Sequence, residues 1–458
     1  MIDPQPDLPF LSSVPGVVWP AIPPAAGQAM LATQFQFDRT QWWPAALMQA
    51  HQFRQLRLLI EHAVAHVPHY RDYLTLAGVA SLDELNPATF LHWPILDKRS
   101  LQTEAARFEA ASMPDGHGTW RQVTTSGSSG EPLRMATSDV AVFVQHALVL
   151  RSQLWYGFDP TKKYGFLNLY EEPGSFADWG PPANAVFRTV GSSRMRASDD
   201  FGEQLDWVCR EMPAQLKAHA VTIRAILEES RRTGRVPTGV KKIVVYGQML
   251  PHGTRELAHE LWGAALFDAY SASEFGSIAF QCPEHPGLHV QSEHVYLELL
   301  RDDGTPCAPG ESGRVIVTDL QNFAMPLIRY DLRDHATLAD ACPCGRGLPV
   351  LQEILGRSGQ IAVDPSGRRF LGHLNLEFWS RVAPIIQHQI VQHTPARLEV
   401  RFVAHRDLNV DEESLLTRHI RDAMRYEYEI AFTRMARIAR NAGGKLDDFV
   451  PIATAGSV

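Results

Sequence analysis

Between Thr124 and Pro132 the chain reads Thr-Thr-Ser-Gly-Ser-Ser-Gly-Glu-Pro. Hydroxyls and glycines at that density make a poor helix or strand but a good cradle for an anion. Glycine lets the backbone turn with positive φ and bring its N–H groups close to a phosphate. Ser and Thr hydroxyls add donors around the same oxygens. A flexible Ser/Gly linker has a similar composition. Against that, Arg121-Gln122-Val123 before the loop and Pro132-Leu133-Arg134-Met135 after it read as short strands, and a loop held between two strands is shaped. A second constellation, Asp-Ala-Tyr-Ser-Ala-Ser-Glu-Phe-Gly over 268–276, follows directly on a predicted strand. Ligands of open α/β sheets bind outside the carboxyl ends of strands. An aromatic, hydroxyls and an acid arriving there together suit a nucleotide: a face for the base, a donor for phosphate and a carboxylate for a metal. An ordinary βα turn is the plainer alternative.

Three further groups could do chemistry. Pro326 to Asp334 reads Pro-Leu-Ile-Arg-Tyr-Asp-Leu-Arg-Asp, an alternation of Arg and Asp that is more often a solvated salt-bridge cluster. Near the C-terminus, Asn-Ala-Gly-Gly-Lys-Leu over 441–446 puts Lys445 after two glycines. A surface lysine is the default there, and a P-loop fits poorly because Leu446 and Ala439 stand where that motif needs Ser/Thr and Gly. Cys282, His289, Cys342 and Cys344 offer three thiolates and one imidazole, a complete set for structural zinc. Reduced surface thiols are the alternative, and His285 competes with His289.

These residues need a large fold to position them. The chain has 458 residues, 45% hydrophobic and 21% charged, an ordinary globular composition with room for about two to four structural units. A net charge of −8 gives no general affinity for nucleic acid or anionic membranes. No apolar run approaches the roughly 18 residues of a membrane span. The N-terminal apolar stretch is broken by Pro15, Pro20, Pro23 and Pro24 and lacks a basic leader, so a signal peptide is not expected. Five cysteines, an odd and low number, argue against a disulfide framework. The expected location is cytoplasmic.

Along the chain, residues 1–35 are expected to be extended, with helices over about 51–74 and 204–232. A βα rhythm follows: a strand from Lys241 to Tyr246, a helix from Thr254 to Trp262 stopped by Gly263, and a strand from Ala264 to Ala269. That rhythm favours a largely parallel, helix-covered sheet. His294–Leu300 and Gly313–Thr318, joined by the turn at Asp302-Asp303-Gly304, form an antiparallel unit. After about Gly356, strands near 387–392, 398–403 and 428–432 surround a helix from about Asp411 to Tyr426, capped by Asp411.

The loop at 124–132, in this order with the other segments, resembles the phosphate-binding signature of the adenylate-forming superfamily (acyl-CoA synthetases and their relatives). The resemblance implies that Thr125, Ser126, Gly127, Ser128, Ser129 and Gly130 hold phosphate. Asp268–Gly276 resembles the Tyr-Gly-x-Thr-Glu motif. By that match Tyr270 stacks on adenine, Ser271 stands at the usual glycine, Ser273 contacts the α-phosphate and Glu274 holds magnesium. Pro326–Asp334 looks like Arg-Tyr-x-x-Gly-Asp, which gives Asp334 the ribose hydroxyls and puts Arg333 at the customary glycine. Gly356-Arg357 resembles the Gly-Arg at the domain junction, with Arg357 on the nucleotide and a hinge near Gly356–Gln360. Gly247 and Gln248 join the nucleotide and acid-binding region, with the acid pocket between about Tyr170 and Ser193. Lys445 takes the place of the catalytic lysine, one point charge between a carboxylate and the α-phosphate.

Gln281-Cys282, Gly287-Leu288-His289 and Cys-Pro-Cys-Gly-Arg over 342–346 point to the phenylacetate–CoA ligase-like branch. Glu131 and Leu133 stand where many members of the superfamily have lysines. The implied architecture is α/β: a large N-terminal adenylation domain (1–356) of helix-covered β-sheets with an antiparallel β subdomain, and a small mobile α+β domain (357–458) carrying Lys445. The implied reaction activates a carboxylic acid with ATP and Mg2+ to an acyl-adenylate, then transfers it to a thiol, CoA foremost. A carrier protein or an amine as acceptor, a homodimer, and a non-catalytic nucleotide-binding protein on the same fold remain open, with structural Zn2+ alongside.

Overall fold

The computed structural model describes residues 9–438, 449–450 and 452, apart from 77, 79–80, 125–133, 169–171, 197–200, 252, 358–360, 367–368, 372–378, 380–381, 384 and 425. A two-stranded ribbon, β1 (Trp120–Thr124) and β2 (Arg134–Ser138), pairs antiparallel with Thr124 opposite Arg134. Arg134 and Met135 of the expected second strand lie in β2, and Pro132 and Leu133 lie outside the described residues. The parallel strands follow as β3 (Tyr164–Asn168), β5 (Ser192–Arg196), β6 (Gln215–His219), β7 (Lys242–Tyr246) and β8 (Ala265–Ala272), with the short β4 (Gly174–Phe176) antiparallel at the edge. The antiparallel strands are β9 (Gly276–Gln281), β10 (Leu288–Val290), β11 (Val295–Leu300), β12 (Ser312–Asp319), β13 (Tyr330–Leu338) and β14 (Val350–Arg357). Both sets belong to one sheet, in the order β11-β12-β13-β14-β10-β9-β8-β7-β6-β3-β5-β4. The β11–β12 hairpin expected from sequence pairs Leu300 with Arg314.

Three expectations need correction. The region 204–232 is two helices, Phe201–Glu211 and Ala220–Thr233, with β6 between them. Pro213 cannot continue a helix, and Leu216 and Ala218 are fully buried in the strand that joins β3 to β7. The N-terminal extended stretch ends at Pro24, which precedes the helix Ala25–Thr40. Helix Ala45–His66 stops before Pro68, in keeping with the bias of a pre-proline residue away from helix. By contrast, the helix Thr254–Trp262 ends at Gly263, whose φ of 61° is the left-handed C-cap that glycine accepts without penalty.

Past β14, a short ribbon (β15 Ile361–Val363, β16 Arg369–Leu371) leads to a separate four-stranded sheet. Its order is β19 (Glu429–Arg434), β18 (Arg397–Ala404), β17 (Ile385–Thr394) and β20 (Phe449–Val450). Helix Val410–Met424 packs on it around Leu398, Val400, Leu416 and Ile420. That helix is capped by Asn409 instead of Asp411: Asn409 Oδ1 accepts from the Glu412 N–H, and the Glu412 carboxylate accepts from the Asn409 N–H. The pair is a capping box.

Candidate active site and cysteine–histidine cluster

The carboxyl end of β8 carries Tyr270. Its hydroxyl donates to Asp334 Oδ2 at 2.7 Å, joining two sequence motifs 64 residues apart. Asp334 in turn pairs across β13–β14 with Arg357. Ser271 continues β8 at a register shift against β9, so no left-handed backbone is needed where the superfamily has glycine. Ser273 is exposed on the turn that follows.

That turn is held from behind. Gln145 Nε2 donates to the Phe275 carbonyl at 2.6 Å, and Gln145 Oε1 accepts from the Ser277 N–H at 2.9 Å. His294 Nε2 lies 3.0 Å from the same carbonyl, and its Nδ1 is 2.7 Å from Gln321 Oε1. Gly276 has φ 64°, and a Cβ there would lie 2.2 Å from Gln145, so glycine is needed for both reasons.

Glu274 faces inward from the turn. Lys98 Nζ lies 4.0 Å from its Oε1 and the Tyr330 hydroxyl 3.4 Å away. Lys98 opens helix Lys98–Glu104, capped by Asp97 accepting from the Ser100 N–H. The backbone of Leu96 bonds to Arg329 and Asp331 at 2.9 Å each, so the start of this helix is sewn onto β13. Sequence reasoning passed over Lys98, Gln145 and His294, because each reaches the turn from a distant segment with no motif of its own.

The Arg/Asp alternation before Asp334 is not a solvated cluster. Arg329 is buried and meets Glu298 through two hydrogen bonds of 3.0 and 2.9 Å, also donating to the Leu91 and Trp93 carbonyls. Asp331 pairs with Arg314 at 3.1 Å. Arg333 adopts φ 60°, the backbone that glycine supplies elsewhere in the superfamily, at a cost of about 1–2 kcal/mol for a residue with a Cβ. Gly247 follows β7 with φ 73°, and a Cβ there would lie 3.2 Å from the His219 ring. Gln248 is exposed beside it. Trp179 and Phe187 are core residues. The loop Thr125–Gly130, Tyr170, the side chain of Arg357, the hinge at 358–360 and Lys445 lie outside the described residues. The ribbon β1–β2 brings the two ends of the 125–133 loop together.

Cys282, His289, Cys342 and Cys344 converge, with one ligand atom from each all within 4.8 Å of one another. Cys342 and Cys282 sulfurs are 3.8 Å apart, and Cys344 Sγ is 3.4 Å from His289 Nε2. His289 turns Nδ1 toward the Leu348 carbonyl at 3.4 Å. An imidazole fixed through Nδ1 presents Nε2 as a ligand, the arrangement metal-bound histidines use. Burial pushes the His289 pKa down to about 4, so the ring is neutral, and burial pushes the Cys342 thiol up to about 12 in the absence of a cation. Three sulfurs and one imidazole nitrogen fit tetrahedral zinc. The neighbouring Arg346 stacks on Trp42 and Trp155 and bonds Gln41, and the Gly347 N–H donates to the Gln41 carbonyl. The cluster's loop is thereby tied to the N-terminal helices.

No family model matches the chain. It is 25% identical over 324 residues to the phenylacetate–coenzyme A ligase of Escherichia coli, covering 69% of this chain and 72% of that one. The phenylacetate–coenzyme A ligase of Thermus thermophilus is also 25% identical, over 346 residues, 70% of this chain and 72% of that one. Among solved structures, 2-hydroxyisobutyryl-CoA ligase in the postadenylation state, in complex with R3-HIB-AMP, superposes with a TM-score of 0.66. It is 17% identical and covers 91% and 92% of the two chains. An open conformation of that ligase with 2-HIB-AMP and CoA gives 0.62 at 18% identity, covering 90% and 93%. The chain thus shares the fold of 2-hydroxyisobutyryl-CoA ligase. In sequence the chain is similar to phenylacetate–coenzyme A ligases.

Proposed function

We infer that this protein is an AMP-forming acid–CoA ligase. It activates a carboxylic acid with ATP to an acyl-adenylate, releasing pyrophosphate, and passes the acyl group to the thiol of CoA. The observation that carries this reading is the Tyr270–Asp334 contact, which unites the adenine and ribose motifs beside Glu274. The similarity to phenylacetate–CoA ligases along 69% of the chain supports it.

The acid's carboxylate attacks the α-phosphorus in line and pyrophosphate leaves. Positioning and charge neutralisation dominate such a step. In this reading Thr125–Gly130 and Ser273 hold the phosphates, Tyr270 and Gly247-Gln248 the base, and Asp334 the ribose hydroxyls as acceptor. Arg357 contacts the nucleotide, and Lys445 neutralises charge developing between carboxylate and phosphate. Magnesium bound at Glu274 would supply charge neutralisation on the phosphates. The Tyr330 hydroxyl and Lys98 fix the Glu274 carboxylate meanwhile. Residues 1–356 are the adenylation domain and 357–458 a small domain that rotates about Gly356–Gln360, taking Lys445 away before CoA attacks. The separate core of the second unit supports that division.

The cysteine–histidine cluster is read as structural zinc, all four positions filled by protein. No helix among the described residues is long and apolar enough to cross a membrane, and unpaired cysteines agree with a cytoplasmic location. A homodimer and a carrier-protein acceptor are secondary to the CoA reading. Screening carboxylic acids for acid-dependent ATP–pyrophosphate exchange tests the assignment. Exchange with no acid in a broad panel would overturn it.

A further inference from the structure

The ribbon β1–β2, which carries both ends of the phosphate loop, forms a sheet of its own. Residues 120–123 of β1 are exposed, and the ribbon meets the body of the protein through β2, where Met135 and Ala136 are buried. Ala136 turns its polar groups away from β1. Its N–H faces Met325 Sδ at 3.4 Å, and its carbonyl accepts from Asn322 Nδ2 at 3.0 Å. Two side chains thus bond the edge of β2 at a place where another strand could pair. Asn322 and Met325 are buried themselves, and both lie on the segment between β12 and β13.

The same segment reaches the nucleotide turn through the residue before Asn322. Gln321 Nε2 donates to the Glu293 carbonyl at 2.8 Å, which leaves Oε1 to accept from His294 Nδ1–H at 2.7 Å. His294 Nε2 is then an acceptor. Gln145 Nε2, 2.6 Å from it, donates both to it and to the Phe275 carbonyl. Asp319 Oδ1 accepts from the Gln321 N–H at 2.8 Å and from the Asn322 N–H at 3.1 Å, so one carboxylate fixes both residues. Just beyond, the Phe323 carbonyl meets His62 Nε2 at 2.9 Å, and the Ala324 carbonyl accepts from the Ala110 N–H at 2.9 Å. Neighbouring side chains on a firmly held segment therefore bond in two directions. Asn322 holds the ribbon of the phosphate loop, and Gln321 holds the turn that carries Ser273 and Glu274.

We propose that Gln321 and Asn322 are positioning residues that set the spacing between the phosphate loop and the Ser273–Glu274 turn. The inference rests on the ligase reading above. Both act through other residues, Asn322 through Ala136 and Gln321 through His294 and Gln145. A misplacement of about 1 Å caused far from the chemistry can cost about a hundredfold in rate. A spacing set by two bonds is lost when either one goes, so the two losses do not multiply. The β- and γ-phosphates leave as pyrophosphate before CoA attacks. The spacing therefore serves adenylation and not thioester formation.

The test compares the half-reactions of Asn322→Ala, Gln321→Leu and the double variant, per folded molecule. In ATP–pyrophosphate exchange each single variant should lose about ten- to a hundredfold in kcat/KM for ATP. The double variant should lose little more than the worse single one. Thioester formation from preformed acyl-adenylate and CoA should change little in all three. Equal losses in the two half-reactions would make these residues supports of the fold and overturn the proposal. Losses that multiply in the double variant would make them two independent anchors, and unchanged exchange would make them neither; both results overturn it as well. Each of these outcomes leaves the ligase reading standing. Should one single variant fail to fold, the half-reactions of the other decide. Absence of exchange in the wild-type protein with every acid removes the ligase reading and this proposal with it.

Discussion

Strand β9 begins at the nucleotide turn with Gly276 and is followed directly by Cys282, so one short strand separates two polar clusters by about 20 Å. Strand β13 makes the same journey from Tyr330 and Asp334 toward Cys342. At the nucleotide end the polar groups satisfy one another: Tyr270 with Asp334, and Lys98 and Tyr330 with Glu274. At the other end three thiols and an imidazole turn toward a common point. Groups that pair with each other can exchange those contacts for a ligand that comes and goes. Groups that converge with little but each other to bond suit a ligand that stays. On the proposed reading, the difference separates a place where chemistry turns over from one that holds the framework.

The largest effect expected is at the first kind of site. Lys445→Ala should lower adenylate formation by about two orders of magnitude or more, the scale of losing one preorganised charge contact. Thioester formation from preformed acyl-adenylate should suffer much less. Equal loss in the two half-reactions, measured separately, would take this role from Lys445. Next, Glu274→Gln removes charge with little change of shape. A loss of about ten- to a hundredfold in turnover at low magnesium is expected, with the circular dichroism spectrum unchanged. Full activity there would mean the metal is held elsewhere.

Gln145→Leu sharpens the contrast, since Gln145 grips the turn without meeting the nucleotide. Such backing contacts are worth roughly tenfold or more in metal affinity or activity. The expected signature is a raised magnesium requirement, read from magnesium titrations of turnover. A drop in stability with an unchanged magnesium titration would make Gln145 purely structural. The smallest effect on activity belongs to the second cluster. Purified protein should contain about one zinc per chain by metal analysis. Cys342→Ser should lose the zinc and melt at lower temperature, because metal binding to the folded state is linked to folding, while activity per folded molecule largely survives. Normal stability in a metal-free protein would remove the zinc site.

Much of this arrangement was legible in the chain. Tyr270, Glu274, Asp334 and the four zinc candidates announce themselves by residue type beside strand patterns. The helix Thr254–Trp262 follows from its glycine stop. What was not legible is long-range. Gln145 and His294 meet at Phe275 only after the sheet has formed, and Lys98 reaches Glu274 through a backbone pairing of Leu96 with β13. β6 hid inside a helical pattern because a five-residue buried strand and a helix segment carry the same apolar content. The backbone of Arg333 is set by its surroundings against its own preference, a tertiary effect that local propensity does not foretell.

The central claim, that this chain joins an acid to CoA through an acyl-adenylate, is tested most directly by following all products of one reaction. With ATP, magnesium, CoA and an accepted carboxylic acid, AMP, pyrophosphate and acyl-CoA should appear in equal amounts, and omitting the acid should abolish all three. Formation of ADP and phosphate, or AMP release that does not depend on the acid, would contradict it.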